Sequence, residues 1–300
     1  MFSKKIKNKF RGWVAMFAFA KKNKLSSLVW FGNFCISFLF LPHLLFCQEW
    51  AATGAKSASL GKASVCLADS WAIFNNIGAL AFYEKNGYAL SYQNRFGTDG
   101  LHLFSAGMSL KSKFFSNALT IRRLGDNLYS QTALSYGISH RLQNASLGLK
   151  IHFVQLSAQG LGTKSLFVFE MGGLMQLSQK LWIGASMYNL NRAKISDFQD
   201  ERLPSWIKVG CRYQFSEKLL LSGQVQKNLD APSQVSAGLE YWFIPKIALR
   251  MGILSQTWQQ SYGCGLKLGV FEVDYAYQLH PYLQGIHEIS LQSPFGKKEK

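Results

Sequence analysis

The chain has 300 residues, a net charge of +17 and 48% hydrophobic residues, yet only 16% of its residues are charged. Soluble domains carry about a quarter charged residues, so this composition argues against an ordinary soluble surface. No apolar run of about 18 residues follows Gln48, which argues against a membrane-spanning helix in that part of the chain.

The first 47 residues have the order of a secretory signal peptide. A basic region at 21–24 precedes an apolar stretch at 28–47, and that order is typical of such signals. We expect cleavage after Cys47. Pro42 argues against the alternative of an uncleaved anchor, and the bulky Phe46 argues against a lipoprotein modified at Cys47.

Much of the positive charge lies in this leader. Without it, 25 basic and 16 acidic residues remain, a net charge of +9. They form no dense basic stripe interleaved with aromatic residues, so we expect no nucleic-acid partner. Cys66, Cys211 and Cys264 are odd in number and lack paired spacing, which argues against a disulfide framework and a metal site. We expect no metal and no cofactor.

From Asn86 onward, polar and apolar residues alternate with a period of two. Such alternation marks a strand with one apolar and one polar face. The stretch 145–153 is an example, with apolar side chains at every second position: Ala145, Leu147, Leu149, Ile151 and Phe153.

Fourteen alternating segments predict fourteen strands: 86–96, 101–110, 114–123, 129–141, 145–157, 164–177, 180–190, 205–215, 218–227, 233–243, 246–254, 258–268, 270–280 and 285–293. Most are about ten residues long, the length of a tilted strand that crosses a bilayer. Connections after even-numbered segments are very short and those after odd-numbered segments are longer, up to 191–204. This rhythm is typical of outer-membrane barrels, with tight periplasmic turns and larger outer loops.

The predicted fold class is therefore all-β: a fourteen-stranded antiparallel transmembrane barrel at 86–296, with a basic tail at 297–300. A soluble β-sandwich is the competing structure. Aromatic residues near the strand ends favour the barrel, because a membrane protein places aromatic girdles at both interfaces. Closure also leaves no strand edge exposed.

The segment 48–85 precedes the first strand and is rich in small residues. We expect it to form a short, partly helical hatch inside the barrel, since many outer-membrane barrels carry internal plugs. We also expect Gly263 and Gly265 to give the hatch space. The alternative is a simple periplasmic lead-in.

Three short runs in this segment resemble the N-terminal signature of the PorV/PorQ family, whose members are outer-membrane barrels of Bacteroidetes similar in fold to FadL-type proteins. They are GAKSASLG at 54–61, VCLADSWA at 65–72 and NIGALA at 76–81. Lys62 and Ile77 depart from the pattern, which has Gly and Pro there, and Glu288 stands where a basic residue is common. The hatch residues that carry the resemblance are Gly54, Ala55, Leu60, Gly61, Ala68, Asp69, Asn76, Gly78 and Leu80.

The resemblance implies an outer-membrane location, lipid contact, and a role as an accessory of type IX secretion or surface assembly that contacts the translocon or cargo proteins. The alternative it leaves open is FadL-like transport of hydrophobic small molecules, which requires an apolar pocket and a lateral gap. For protein contacts, the candidate outer-loop residues are Arg192, Lys194, Asp197, Asp200, Glu201 and Arg202.

The polar face of the strands predicts a lumen with charges of both signs. Unpaired buried charge is costly, so we expect these groups to pair with one another and with the hatch, which favours a plugged barrel. The candidate lumen charges are Arg95, Lys150, Lys208, Arg212, Glu240, Arg250, Lys267, Glu272, Asp274 and Glu288.

We expect no enzyme activity. A hydrolase would need a nucleophile, a base and an orienting carboxylate within reach of one another. The sequence places no histidine in a recognisable catalytic or metal-binding motif.

Overall fold

The computed structural model describes residues 52–98, 100–196, 200–229, 231–255 and 258–295. The expected signal peptide at 1–47 and the expected tail at 297–300 lie outside these residues. Among the described residues, no helix is both long enough and apolar enough to span a membrane.

Fourteen strands make up most of the described chain, each within two residues of its predicted bounds. They are β1 Asn86–Arg95, β2 His102–Lys111, β3 Ser116–Gly125, β4 Tyr129–Leu142, β5 Ala145–Ala158, β6 Gly162–Gln176, β7 Leu181–Tyr188, β8 Trp206–Gln214, β9 Leu219–Asn228, β10 Gln234–Ile244, β11 Ile247–Leu254, β12 Gln259–Leu268, β13 Phe271–Gln278 and β14 Ile286–Phe295.

The strands close into a single barrel. Each pairs antiparallel with its neighbours in the sequence, and β1 pairs with β14 in a register that places Asn86 opposite Phe295. Closure gives every strand two hydrogen-bonded neighbours and removes the exposed edges of an open sheet. The predicted closed antiparallel barrel of fourteen strands is confirmed.

Burial alternates along the strands, with the apolar side chains on the outside. In β5, Ser146 and Lys150 are buried in the lumen, whereas Leu147 and Leu149 are 58% and 59% exposed on the outer surface. A soluble barrel would have the opposite arrangement, because large exposed apolar surfaces are disfavoured in water.

The two ends of the barrel differ in their connections. At the short-turn end lie 112–115, 143–144, 177–180, 215–218, 245–246 and 269–270, together with the start of β1 and the end of β14. At the long-loop end lie the remaining connections, of which 189–205 between β7 and β8 is the longest.

The segment before β1, residues 52–85, forms a hatch inside the barrel. It contains helix α1 (Ala55–Ser59), helix α2 (Ala72–Asn75) and a 3-10 helix (Ile77–Phe82). Helix α1 packs against β11 to β14, and the 3-10 helix packs against β4 to β6. These helices are too short to be stable alone, so their packing against the wall holds them.

Candidate functional site

The hatch fits against a belt of wall glycines that face the lumen. At Gly252 a Cβ would collide with Leu60 and Gly61 of the hatch, and at Gly172 it would collide with Asn76. The belt runs over nine strands and comprises Gly107, Gly137, Gly148, Gly172, Gly184, Gly210, Gly238, Gly252 and Gly263. Any larger residue at these positions would push the hatch away from the wall.

The two glycines expected to give the hatch space behave differently. Gly263 does so, because a Cβ there would meet Ser59 of α1. Gly265 instead leaves room for wall side chains, since a Cβ there would meet Asp274 and Arg250.

Strand β14 anchors the start of the hatch. The buried carboxylate of Glu288 accepts hydrogen bonds from the Gly54 backbone N–H (2.7 Å) and from the Gln93 side chain (2.8 Å). Ser290 accepts from the Ala55 N–H at 3.1 Å. The first N–H groups of a helix have no partner within the helix, and a carboxylate there is also favoured by the helix dipole.

A buried charge network joins the hatch to the wall strands β10, β11 and β13. Arg250 donates to Glu240 at 2.6 Å and to Asp274 at 2.5 Å, and it lies 3.4 Å from Glu272. From α1, Lys56 reaches Asp69 at 3.1 Å and Glu240 at 3.8 Å. Burial opposes the charge of Lys56, but Glu240 and Asp69 outweigh it and keep the Lys56 pKa above its ordinary value.

Asn76 ties the second half of the hatch together. Its amide donates to the Val65 carbonyl at 2.7 Å and to the Gly173 carbonyl of β6 at 3.0 Å, and its oxygen accepts from the Gly78 N–H at 3.1 Å. Ser146 of β5 donates to the Gly78 carbonyl at 2.7 Å. Through these hydrogen bonds, Asn76 and Gly78 connect the hatch to the inner side of the wall, and neither residue reaches the surface.

Two of the three residues that depart from the PorV/PorQ-like pattern lie in the hatch. Lys62 adopts a left-handed backbone with φ of 69°, a conformation that glycine takes at lower cost. Ile77 is fully buried at the start of the 3-10 helix, where it fills the space beside Gly137 and Gly148.

Strand β5 crosses three layers of the lumen. Gly148 contacts the hatch, Lys150 and His152 follow as buried polar groups, and Val154 and Leu156 end the inward face as buried apolar groups. The lumen on this side therefore changes from hatch, to polar layer, to apolar layer as it approaches the long-loop end.

Members of the polar layer contact one another and the hatch, although among the described residues the Glu170 Oε1 atom is buried without a hydrogen-bond partner. Lys150 donates to the Ile73 carbonyl at 2.6 Å. His152 Nε2 lies 2.9 Å from Glu170 Oε2, and its Nδ1 lies 2.8 Å from the Ser135 hydroxyl. Arg122 of β3 lies above the Phe74 ring, 5.8 Å from its centroid. Arg122, His152 and Glu170 are not among the predicted lumen charges. The alternation of side chains along their strands nevertheless places them on the inward face.

A cluster of buried apolar side chains lies at the long-loop end of the lumen, on the side of β2 to β8. Its largest members are Tyr188 and Trp206, whose rings stack at 5.1 Å. The cluster comprises Leu103, Ala133, Val154, Leu156, Leu166, Val168, Tyr188, Ala193, Leu203 and Trp206.

The β7–β8 connection covers this cluster. Its Ala193 and Leu203 are buried against the strands. The Asn189 amide N–H donates to the Leu203 carbonyl at 2.8 Å, and the Asn189 oxygen accepts from the Ala193 N–H at 2.8 Å. One face of the loop thus belongs to the barrel interior.

The charged residues expected on this loop lie on its other face. Arg192, Lys194, Asp200 and Glu201 are exposed, and Arg202 is partly buried; Asp197 lies outside the described residues. Asp200 pairs with Lys194 at 2.8 Å and with Arg202 at 2.9 Å. Hydrogen bonds from Arg202 and Lys194 lower the Asp200 pKa to about 2.

At the long-loop end of the described barrel, the first residues of β6 have no partner in β7. Strand β6 has 15 residues and β7 has eight, so their pairing begins only at Glu170 and Tyr188. Beyond that point the described loop closes the wall. Its Asn191 amide donates to the Phe167 carbonyl at 2.8 Å, and its Leu190 N–H donates to the Phe169 carbonyl at 3.0 Å.

All ten candidate lumen charges lie on the inward face of their strands, but they do not form one group. Lys150, Lys208, Glu240, Arg250, Asp274 and Glu288 are buried. Arg95 is partly buried and donates to Gln93 at 2.7 Å. Lys267 is exposed above the Trp242 ring, and Arg212 lies over Trp182 at the short-turn end.

The three described cysteines are free. Cys66 is buried behind Gly184 in the hatch interface, and burial raises the pKa of its thiol to about 12. A thiol with that pKa stays protonated and unreactive, so Cys66 serves as a small apolar side chain that packs beside Gly184.

No family model matches the chain, and no curated protein matches its sequence. Solved structures match its fold. The toluene transporter TbuX of Ralstonia pickettii has a TM-score of 0.61 at 14% identity, over 82% of this chain and 99% of TbuX. The monoaromatic hydrocarbon channel CymD has a TM-score of 0.63 at 11% identity, over 83% and 99%.

The toluene transporter TodX of P. putida matches with a TM-score of 0.62 at 11% identity, over 83% of this chain and 100% of TodX. The chain shares the fold of these barrels. The FadL-type fold expected from the sequence is confirmed, whereas membership of the PorV/PorQ family stays a prediction.

Proposed function

We propose that the chain is an outer-membrane transporter of small hydrophobic molecules, the alternative that the sequence left open. The solved barrels that share its fold are toluene transporters and a monoaromatic hydrocarbon channel. The observation that carries the proposal is the apolar cluster inside the long-loop end of the lumen. Apolar surface gains about 25 cal/mol for each Å² removed from water, so a hydrophobic molecule is stabilised there.

The outer surface supports the membrane location. Large apolar side chains such as Leu147, Phe167 and Leu249 are about half exposed around the barrel. Lipid is the solvent that suits such a surface. In an outer membrane the short-turn end would face the periplasm and the long-loop end the exterior.

The route that fits this interior leaves the barrel sideways. The hatch and the polar layer of Lys150, His152 and Glu170 close the axis, and an apolar molecule gains nothing by displacing paired charges. The wall between β6 and the β7–β8 loop borders the apolar cluster at Leu166 and Val168. Among the described residues, hydrogen bonds between β6 and the loop residues Leu190 and Asn191 hold this contact in place of a strand ladder. Opening that contact would pass a hydrophobic molecule directly into the bilayer.

The other function suggested by the sequence, an accessory role in type IX secretion or surface assembly, has less support. The exposed loop charges Lys194, Asp200 and Arg202 pair with one another. The apolar side chains Ala193 and Leu203 of the same loop are buried in the barrel. Both observations leave fewer groups on this loop for a partner protein.

We assign no catalytic role to Ser135, His152 and Glu170, although they lie within hydrogen-bond distance in series. All three are at most 2% exposed. A hydrolase must bring water and an ester to its nucleophile, and this burial argues against access of either to the Ser135 hydroxyl.

Uptake of radiolabelled toluene tests the proposal in Gram-negative cells whose outer membrane lacks another hydrocarbon transporter. Expression of the chain should raise the initial uptake rate several-fold over empty vector. Replacing buried Trp206 in Trp206→Gln places an amide in the apolar cluster and should remove most of the gain. The matched control Trp258→Gln, at a 74% exposed side chain, should keep it.

Both variants should reach the outer membrane and show the heat-dependent gel mobility of a folded barrel. Uptake equal to empty vector with a well-folded barrel would contradict transport. A stoichiometric protein co-purifying with such an inactive barrel would favour the secretion accessory instead.

A further inference from the structure

A second site lies at the opposite end of the barrel from the apolar cluster. A cavity of about 480 Å³ opens at the short-turn end, between the last turn of the hatch and the ends of β4, β7 and β8. Sites for small molecules have volumes of about 300–1,000 Å³. The cavity is therefore large enough for a small organic ligand.

Two aromatic rings form one side of this cavity. Phe82 of the 3-10 helix and Trp182 of β7 meet edge to face, with ring centroids 4.9 Å apart. Both side chains are partly buried, and the hatch core packs behind them. They offer a fixed apolar surface to the body of a ligand.

Two arginines lie over these rings, and the remaining parts of both rings still line the cavity. Arg141 lies 4.5 Å from the Phe82 centroid and Arg212 lies 4.9 Å from the Trp182 centroid. Stacking on a ring fixes the plane of a guanidinium and leaves its N–H groups directed along that plane. The arginines are thus held in position before any ligand binds.

The positive charge that lines this cavity is only partly balanced by nearby carboxylates. Arg141 pairs with Glu84 at 3.0 Å, and both are well exposed, so the pair is weak and exchangeable. Among the described residues no carboxylate forms an ion pair with Arg212, although Asp69 and Glu240 act on it electrostatically from farther away, and its buried Nε has no hydrogen-bond partner. Lys85 also lines the cavity. Three cations thus face one carboxylate.

We propose that this cavity binds a small organic carboxylate with an aromatic or branched apolar body. The carboxylate accepts from the Arg212 guanidinium, which suits planar two-point recognition, and the body lies against Phe82 and Trp182. This goes beyond the proposed transport function, because an uncharged hydrocarbon that leaves through the wall needs no cation at the short-turn end.

Fluorine NMR on the full chain in lipid nanodiscs tests this site with 4-(trifluoromethyl)benzoate. Its neutral match, 4-(trifluoromethyl)benzyl alcohol, has the same ring and no charge. We expect saturable binding of the benzoate, and binding of the alcohol at least about tenfold weaker, because a hydrogen bond to a charged group is the strong kind.

Four variants locate the binding. Arg212→Gln should weaken benzoate binding at least about tenfold, and Arg212→Lys should retain part of it because the charge remains. Trp182→Leu, which keeps Arg212 but removes its ring partner, should also weaken binding. The matched control Arg123→Gln changes an exposed arginine of β3 near the long-loop end and should leave the affinity unchanged.

Equal affinity for acid and alcohol would overturn the proposal, as would unchanged binding in a folded Arg212→Gln barrel. Trp206→Gln separates the two sites: it should lower hydrocarbon uptake and leave benzoate binding intact. Loss of benzoate binding in Trp206→Gln alone would place the benzoate in the apolar cluster and would also overturn the proposal.

Discussion

Arg250 has almost no solvent contact and lies among three carboxylates, of which Glu240 also contacts Lys56 of the hatch. Buried charges cost several kcal/mol each unless paired. This network therefore both requires the hatch and fixes it, because removal of either partner leaves uncompensated charge in the lumen.

Arg250→Met should lower the free energy of unfolding by about 3–5 kcal/mol, since it leaves Asp274 buried without its cation and leaves Glu240 with the more distant Lys56. Urea unfolding in lipid vesicles, followed by tryptophan fluorescence, measures the change. The control Arg141→Met removes an exposed ion pair and should cost no more than about 1 kcal/mol. Equal losses in the two variants would contradict the structural role of the network.

The inward position of Arg250, Glu240 and Asp274 is readable from the sequence because the side-chain period of a strand is two. Their partners are not, since pairing depends on the register of distant strands. His152 and Glu170, 18 residues apart, meet only because β5 and β6 align as they do. No local motif in the sequence marks that contact.

The strands and the hatch differ in how far the sequence predicts them. Alternation over about ten residues, bounded by tight turns, predicts every strand to within two residues of its observed bounds. The hatch helices have only four to six residues each, and local sequence determines such short helices poorly. The glycine belt that receives them is scattered over nine strands, so no single segment predicts it.

Gly252→Val tests the fit of the hatch against the wall. Its Cβ would collide with the hatch backbone at Leu60 and Gly61, and overpacking costs about 1–3 kcal/mol. We expect a displaced hatch and raised ion conductance in planar bilayers, with a lower free energy of unfolding.

The matched control is Gly223→Val, where the nearest atom to a Cβ is Cys211 Sγ at 3.9 Å. Both substitutions place valine in a strand, but only Gly252 touches the hatch. Raised conductance in both variants, or in neither, would show that the belt does not seal the lumen.

Across the whole molecule, the lumen combines a hatch, a polar layer and an apolar cluster under the β7–β8 loop. Composition and strand rhythm predict the closed barrel. They do not predict this apolar cluster, because its members come from six strands and a loop. Charges dominate the sequence of that loop, whereas the buried Ala193 and Leu203 become visible only once the loop folds back over the lumen.

Anomalous X-ray scattering from crystals of the full barrel soaked with bromobenzene tests the central claim most directly. We predict bromine density beside Leu166, Tyr188 and Trp206, on the long-loop side of the His152–Glu170 pair. The density should be absent in Trp206→Gln and retained in Trp258→Gln. Bromine density on the hatch side of that pair, or only on the outer surface, would contradict hydrocarbon entry through the apolar cluster.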